Sequence, residues 1–373
     1  MRKGMEKEPY LIDDTEELIS PALIFYKDII LANTKRIIEM AGGPQYLWPH
    51  VKTHKTAGMI RMQIGMGITR FKCATIAEAE MTAEAGGEQI ILAYPLVGPN
   101  ISRYLRLAKA YPQTCFYAIG DDFDCLSALS EKAREMGGSM NVLIDVDMGM
   151  HRTGIPLDLL ESFYERVSTL KGISLKGLHC YDGNNTDRDF GLRKAMTLEN
   201  DKRVLQVLES LRGKGFECET MVMGGSPSFP CRTGKAGFYL SQGTIFIGDW
   251  GYYKKLPDLA FTPGAAIFSR VLSHQEGNTF TLDLGSKGIA TDPAEERGII
   301  AGLEEARPLF QSEEHWVFAL PSGKDLPPIG SGQYVIPTHV CPTSALYSEV
   351  QLAQGGKIAD CWQVTARNRR INY

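Results

Sequence analysis

The chain has 373 residues, 43% hydrophobic and 23% charged, with a formal net charge of −4. That length suits a large core divided between two domains, and the charge leaves no basic field for nucleic acid or an anionic membrane surface. No apolar run reaches the ~18 residues of a membrane span, the opening Met1–Lys7 is polar with no apolar signal core behind it, and the eight cysteines are scattered without a Cys-x-x-Cys pair. The expectation is a cytoplasmic protein with reduced thiols.

Taken in chain order, the first predicted strand is Tyr46–Thr53, which runs into His54-Lys55. In a strand, alternate side chains share a face, so His50, Lys52 and His54 would point one way and Val51, Thr53 and Lys55 the other. Strands follow at Arg70–Ala74, Gln89–Tyr94, Thr114–Ile119, Asn141–Asp147, Leu175–Tyr181, Glu219–Met223 and Thr244–Gly248, with helical stretches such as Ile76–Ala85, Ile101–Ala110, Asp124–Met136 and Leu192–Leu211 between them. This alternation implies parallel βαβ units. An α/β class with a (β/α)8 TIM-type barrel over residues 20–255 accounts for eight such strands; an open doubly wound sheet is the alternative. Beyond residue 255 the texture changes. Ala265–Leu272, Thr279–Leu284, Trp316–Ala319, Tyr334–Ile336 and Cys361–Thr365 read as strands between Gly- and Pro-containing turns, so residues 256–373, joined by 1–19, are expected to form an all-β domain.

Barrel enzymes carry their chemistry at the C-terminal ends of the strands. Lys52 lies near such an end, and a lysine desolvated there is suited to imine formation. Gly224-Gly225-Ser226-Pro227-Ser228 follows the seventh predicted strand, and Gly243-Thr244 opens the eighth. Glycines let backbone N–H groups approach a phosphate, and hydroxyls add donors. A barrel lysine with a phosphate cradle suggests pyridoxal 5'-phosphate. Arg152, after the fifth strand, could bond an anionic phenolate oxygen, and Tyr181, after the sixth, could stack on a ring. On a strand, His339 and Cys341 would point to one face as an imidazole–thiolate pair suited to Zn²⁺, with coordination positions left open for water or substrate. Each feature also has a plain structural reading: tight turns, a surface arginine, a rim aromatic, a buried histidine beside an inert thiol.

Together these motifs resemble the D-threonine aldolase/D-serine dehydratase family, pyridoxal phosphate enzymes of alanine-racemase-type fold (fold type III). The similarity runs from Pro21-Ala22-Leu23 to Arg367-Asn368-Arg369. Pro49-His50-Val51-Lys52-Thr53-His54-Lys55 resembles the cofactor-lysine motif, which implies Lys52 rather than Lys55 as the imine lysine. Arg152, Tyr181, Gly224-Gly225-Ser226 and Gly243-Thr244 resemble its cofactor-contacting positions, and His339-Val340-Cys341 its metal motif. Lys72–Glu80 and Leu92–Asn100 look like the aldolase-type branch, whereas His-x-Cys is the dehydratase form of the metal pair.

The resemblance implies a metal-assisted lyase on D-3-hydroxy amino acids, with Lys52, Tyr181 and His339 as catalytic groups, zinc (or manganese or magnesium) as the metal, and a homodimer. Cleavage to glycine and an aldehyde, as in D-threonine aldolase, is the first expectation. D-serine dehydratase-type elimination is the second, and an amino-acid racemase or a non-catalytic pyridoxal phosphate carrier the further alternatives.

Overall fold

The structure is a computed structural model that describes residues 4–234 and 237–373. Residues 1–3 of the expected β-domain and 235–236 of the expected barrel lie outside the described residues. The chain forms two compact units. One comprises the described residues up to Arg36, with Thr53–Thr56 and Thr244–Arg367; the other comprises Ile37–Lys52, Ala57–Gly243 and Asn368–Tyr373.

The first strand, β1 (Ala22–Tyr26), belongs to the former unit. The latter is the barrel. Its parallel strands β2 (Arg70–Cys73), β3 (Gln89–Leu92), β4 (Cys115–Gly120), β5 (Met140–Asp145), β6 (Ile173–Cys180), β7 (Thr220–Met223) and β8 (Tyr239–Leu240) pair in sequence order. The segment Leu47–His50 closes the ring. Leu47 bridges Leu240 and His50 bridges Lys72, both in parallel. Trp48 N–H donates to the Leu240 carbonyl at 2.8 Å and Lys72 N–H to that of Pro49 at 2.8 Å.

Two expected strands are corrected. Tyr46–Thr53 is not one strand, because Pro44–Tyr46 and Val51–Thr53 are single 3-10 turns around the bridging residues. Pro49 has no N–H to give a ladder, and the chain turns away after His50, so His50, Lys52 and His54 do not share a strand face. Thr244–Gly248 is helical over Thr244–Ile247, all four residues buried. A short, fully buried β-branched run has no period that separates strand from helix.

Inside the barrel, Trp48, Ile91, Ile119, Leu143 and Val222 form an apolar floor, with Trp48 edge-on to Tyr117 at 5.4 Å and Tyr239 at 5.3 Å. Because strand side chains alternate, the residues two places further along share that face. There the barrel carries polar groups: Lys72 after Arg70, Asp145 after Leu143, Ser241 after Tyr239, and His179 beside Asp145.

The other unit holds a nine-stranded sheet. Its strands are β1 with β9 (Ala265–Gln275), β10 (Thr279–Leu282), β11 (Gly298–Ile300), β12 (Arg307–Gln311), β13 (Trp316–Ala319), β14 (Gly332–Pro337), β15 (Glu349–Gln354) and β16 (Lys357–Gln363). β1 lies between β9, antiparallel to it, and β15, parallel to it. Tyr10, Ile24, Tyr26, Trp250, Phe268, Tyr334 and Ile336 pack in one core. No helix among the described residues is long and apolar enough to cross a membrane.

Candidate functional site

Three cations surround one aromatic ring in the barrel unit. Lys52 Nζ is 6.0 Å from the Tyr181 centroid, Lys72 Nζ 5.3 Å and the Arg152 guanidinium 5.5 Å. Two glycines make room for the ring: a Cβ on Gly225 would sit 2.9 Å from its edge, and one on Gly183 2.3 Å from its hydroxyl. The cation–π contacts favour this grouping, but they do not neutralise three positive charges.

The neighbouring carboxylates are committed elsewhere. Asp182 receives Arg232 Nη1 at 2.7 Å, Ser228 Oγ at 2.6 Å and Gly225 N–H at 3.1 Å. Asp201 holds the other side of Arg232 at 2.6 Å, with all three side chains buried. Asp145 accepts Thr153 Oγ1 at 2.8 Å and engages His179 Nδ1 at 2.7 Å. Lys52, Lys72 and Arg152 therefore make no ion pair among the described residues. Desolvated charge is expensive without a partner; Lys72 is buried, Lys52 half-buried and Arg152 exposed, so the penalty rests on Lys72 and an anionic ligand would relieve it.

Lys72 is 1% exposed, and its Nζ donates to Ser241 Oγ at 2.6 Å. Burial, reinforced by Lys52 and opposed by Asp145 and Asp182, pushes its pKa down to about 7. Burial also lowers the His179 pKa, against the pull of Asp145. His179 Nε2 is buried without a hydrogen-bond partner, and an orphaned atom in this polar layer is consistent with space for a ligand. Lys72, His179, Asp145 and the Asp182–Arg232–Asp201 network were not singled out from the sequence. For Lys72 a signal existed: it is a lysine on a predicted strand, the same argument that selected Lys52.

The predicted phosphate segments take definite positions. Gly224 N–H donates to the Cys180 carbonyl at 3.0 Å, so both Gly224 and Gly225 spend their N–H groups on the barrel itself. Ser226, 5% exposed, offers an N–H with no acceptor among the described residues. A Cβ on Gly243 would meet the His50 carbonyl oxygen at 2.6 Å, so glycine here lets the closing segment pass. Thr244 belongs to the other unit, where its Oγ1 lies 3.4 Å from Cys341 Sγ.

In that unit, His339 is the N-cap of a short helix, Val340–Ser344. This corrects the expected strand geometry of the pair, since Pro342 cannot donate to a ladder and sits instead in the first turn of the helix. The helix still keeps the two side chains close enough for Cys341 to raise the His339 pKa. Cys341 Sγ also lies 3.2 Å from Thr53 Oγ1. Asp292 engages His339 Nδ1 at 2.7 Å, so Nε2 is the ring nitrogen that could serve a metal ion. Burial disfavours the imidazolium, but Cys341, Asp292 and Asp249 outweigh it and push the His339 pKa up to about 9. Burial raises Asp249 to about 6. A cavity of about 180 Å³, lined by Asp249, Tyr252, Lys255, Pro293, Thr338 and His339, lies beside the pair. Among the described residues no group of three or more His, Cys, Asp or Glu donors converges, so the pair offers two protein donors.

Comparison with known proteins follows the same division. Residues 27–245 match the alanine racemase N-terminal domain, and residues 264–353 match the putative serine dehydratase domain. The chain is 26% identical over 337 residues to D-threonine aldolase of Arthrobacter sp, covering 86% of this chain and 85% of that one. It is 23% identical over 371 residues to D-threo-3-hydroxyaspartate dehydratase of Delftia sp. (strain HT23), covering 93% and 97%. The crystal structure of D-threonine aldolase from Filomicrobium marinum superposes with a TM-score of 0.85 at 26% identity, covering 94% of this chain and 95% of that one. By its barrel, its sequence and its second domain, the chain belongs to the alanine racemase N-terminal domain family, with a D-serine dehydratase-like domain following the barrel.

Proposed function

We propose that the protein is a pyridoxal phosphate-dependent, metal-assisted lyase of D-3-hydroxy amino acids, acting as a D-threonine aldolase does. The observation that carries this reading is the set of three unpaired cations around Tyr181, with Lys52 among them. A phosphorylated aldehyde fits it: an amine for the aldehyde, cations for the negative charge, an aromatic ring to flank a flat heterocycle, and the Ser226 N–H as a donor. Bound, such a cofactor supplies an electron sink for a carbanion at Cα. Lys52 would hold it and afterwards be available to move a proton at Cα. Arg152 and Lys72 would carry its charge, and Tyr181 would keep its plane. His339 and Cys341 would hold a divalent cation as Lewis acid for the substrate β-oxygen, with zinc favoured over manganese or magnesium by the thiolate.

Which bond breaks depends on which proton is taken. Loss of the β-hydroxyl proton cleaves Cα–Cβ to glycine and an aldehyde. Loss of the Cα proton expels the β-oxygen and ends in a keto acid and ammonia. The second reading, a dehydratase, is favoured by the thiol at position 341 and by the similarity to D-threo-3-hydroxyaspartate dehydratase.

The test has two parts. Borohydride reduction of the cofactor-loaded protein should label the Lys52 peptide, and label on Lys55 would refute the assignment. Product analysis with D-threonine, D-serine and D-alanine then separates cleavage, elimination, racemisation and mere cofactor binding. We further propose a homodimer; a light-scattering mass of one chain at working concentration would contradict it.

A further inference from the structure

We propose that Lys72 is a positioning residue of this site: pinned by Ser241, it holds the negative charge of the bound cofactor from inside the barrel. This rests on the functional reading above. Lys72 is among the largest fully buried side chains of the protein, yet no carboxylate hydrogen-bonds it. Its partner is neutral. The Ser241 hydroxyl faces the Gly224 carbonyl at 3.0 Å, so its proton is committed there and its lone pair accepts from Lys72 at 2.6 Å. One of the three ammonium donors is thus used to fix the side chain. The other two are left at an Nζ that stands 5.3 Å from the Tyr181 centroid.

The other two cations are placed differently. Lys52 is assigned to the aldehyde and cannot serve as a standing charge. Arg152 is exposed, where water and salt screen it. The groups that face Lys72 are Lys52, Arg152, Asp145, Asp182, His179, Tyr181 and Ser241. Both carboxylates among them are bonded to other groups. A lysine kept buried at a cost in stability, with spare donors and no counter-charge, is explained by a ligand that brings the counter-charge.

The experiment strips the cofactor and titrates pyridoxal phosphate back into the wild type, Lys72→Met, Lys72→Arg and Ser241→Ala, reading the dissociation constant and the pH midpoint of the visible band. Lys72→Met should bind about 10- to 100-fold more weakly, the range of a lost charged hydrogen bond. Its midpoint should move to higher pH, because a cation that opposed protonation of the bound chromophore is gone. Lys72→Arg should restore most of both values, and Ser241→Ala should move both partway. Reduction should still label Lys52 in every variant. If the wild type takes up no pyridoxal phosphate, the functional reading falls and this inference with it. If the wild type binds but Lys72→Met keeps its affinity within twofold and its midpoint, the reading stands and the inference is wrong. Should Lys72→Met not fold, unchanged affinity and midpoint in Ser241→Ala overturn the inference.

Discussion

Replacing Lys72 by methionine should stabilise the cofactor-free protein, and the gain should depend on pH in a defined direction. The folded chain holds this amine at a pKa of about 7, against 10.5 when it is free of the fold. At 1.36 kcal/mol per pH unit, that gap amounts to about 4–5 kcal/mol lost to burying the charge. Below pH 7 both states carry the proton, so the full penalty applies. Between pH 7 and 10.5 only the unfolded chain binds it, and stability rises with pH as the penalty fades. Methionine fills similar space without charge, but it loses the donor to Ser241, worth about 1 kcal/mol. The expected net gain is about 3 kcal/mol at pH 6.5, falling to nothing or slightly below near pH 10. Urea unfolding of the two proteins at both pH values measures it, with hydrogen exchange of the Arg70–Cys73 peptide reporting on the barrel alone. A variant no more stable at pH 6.5, or a gain that persists undiminished at pH 10, would refute the reasoning.

Arg232→Met removes the cation shared by Asp182 and Asp201 and should cost about 3–5 kcal/mol; exchange in residues 220–232 should quicken by about two to three orders of magnitude, and an unchanged rate would contradict a structural role for the network. Gly225→Ala drives a methyl against the Tyr181 ring and should weaken pyridoxal phosphate binding about tenfold; if the ring is the cause, adding the same change to Tyr181→Ala should cost little more. Cys341→Asp should shift metal preference from zinc towards manganese or magnesium, read by metal titration and activity, and an unchanged order would argue against a ligand at this position. Selectivity for the D configuration is expected from the family resemblance, and equal rates with D- and L-threonine would refute it.

The alternating architecture is written locally. Strand and helix periods differ, so β2 to β7 and four of the helices between them could be located from side-chain pattern, and the change of texture after residue 255 announced a second, all-β region. Lys52, Arg152, Tyr181 and the His339–Cys341 pair are motif residues, visible without coordinates. Other features depend on contacts that a local pattern does not encode. β1 is an uninterrupted apolar run ahead of a helix, and only pairing with β9 and β15 makes it an inner strand. The turn at Val51–Thr53 follows from closing the ring at His50, and Gly243 is glycine because that closure passes within reach of its missing Cβ. The buried layer of Lys72, Asp145, His179 and Ser241 comes from three strands and the residue after a fourth, with Lys72 and Ser241 separated by 169 positions. Sequence alone put Lys52 forward as the amine for an aldehyde. Only the folded barrel decided which charges face it unpaired, because pairing is set by which side chains converge in space and not by their spacing along the chain.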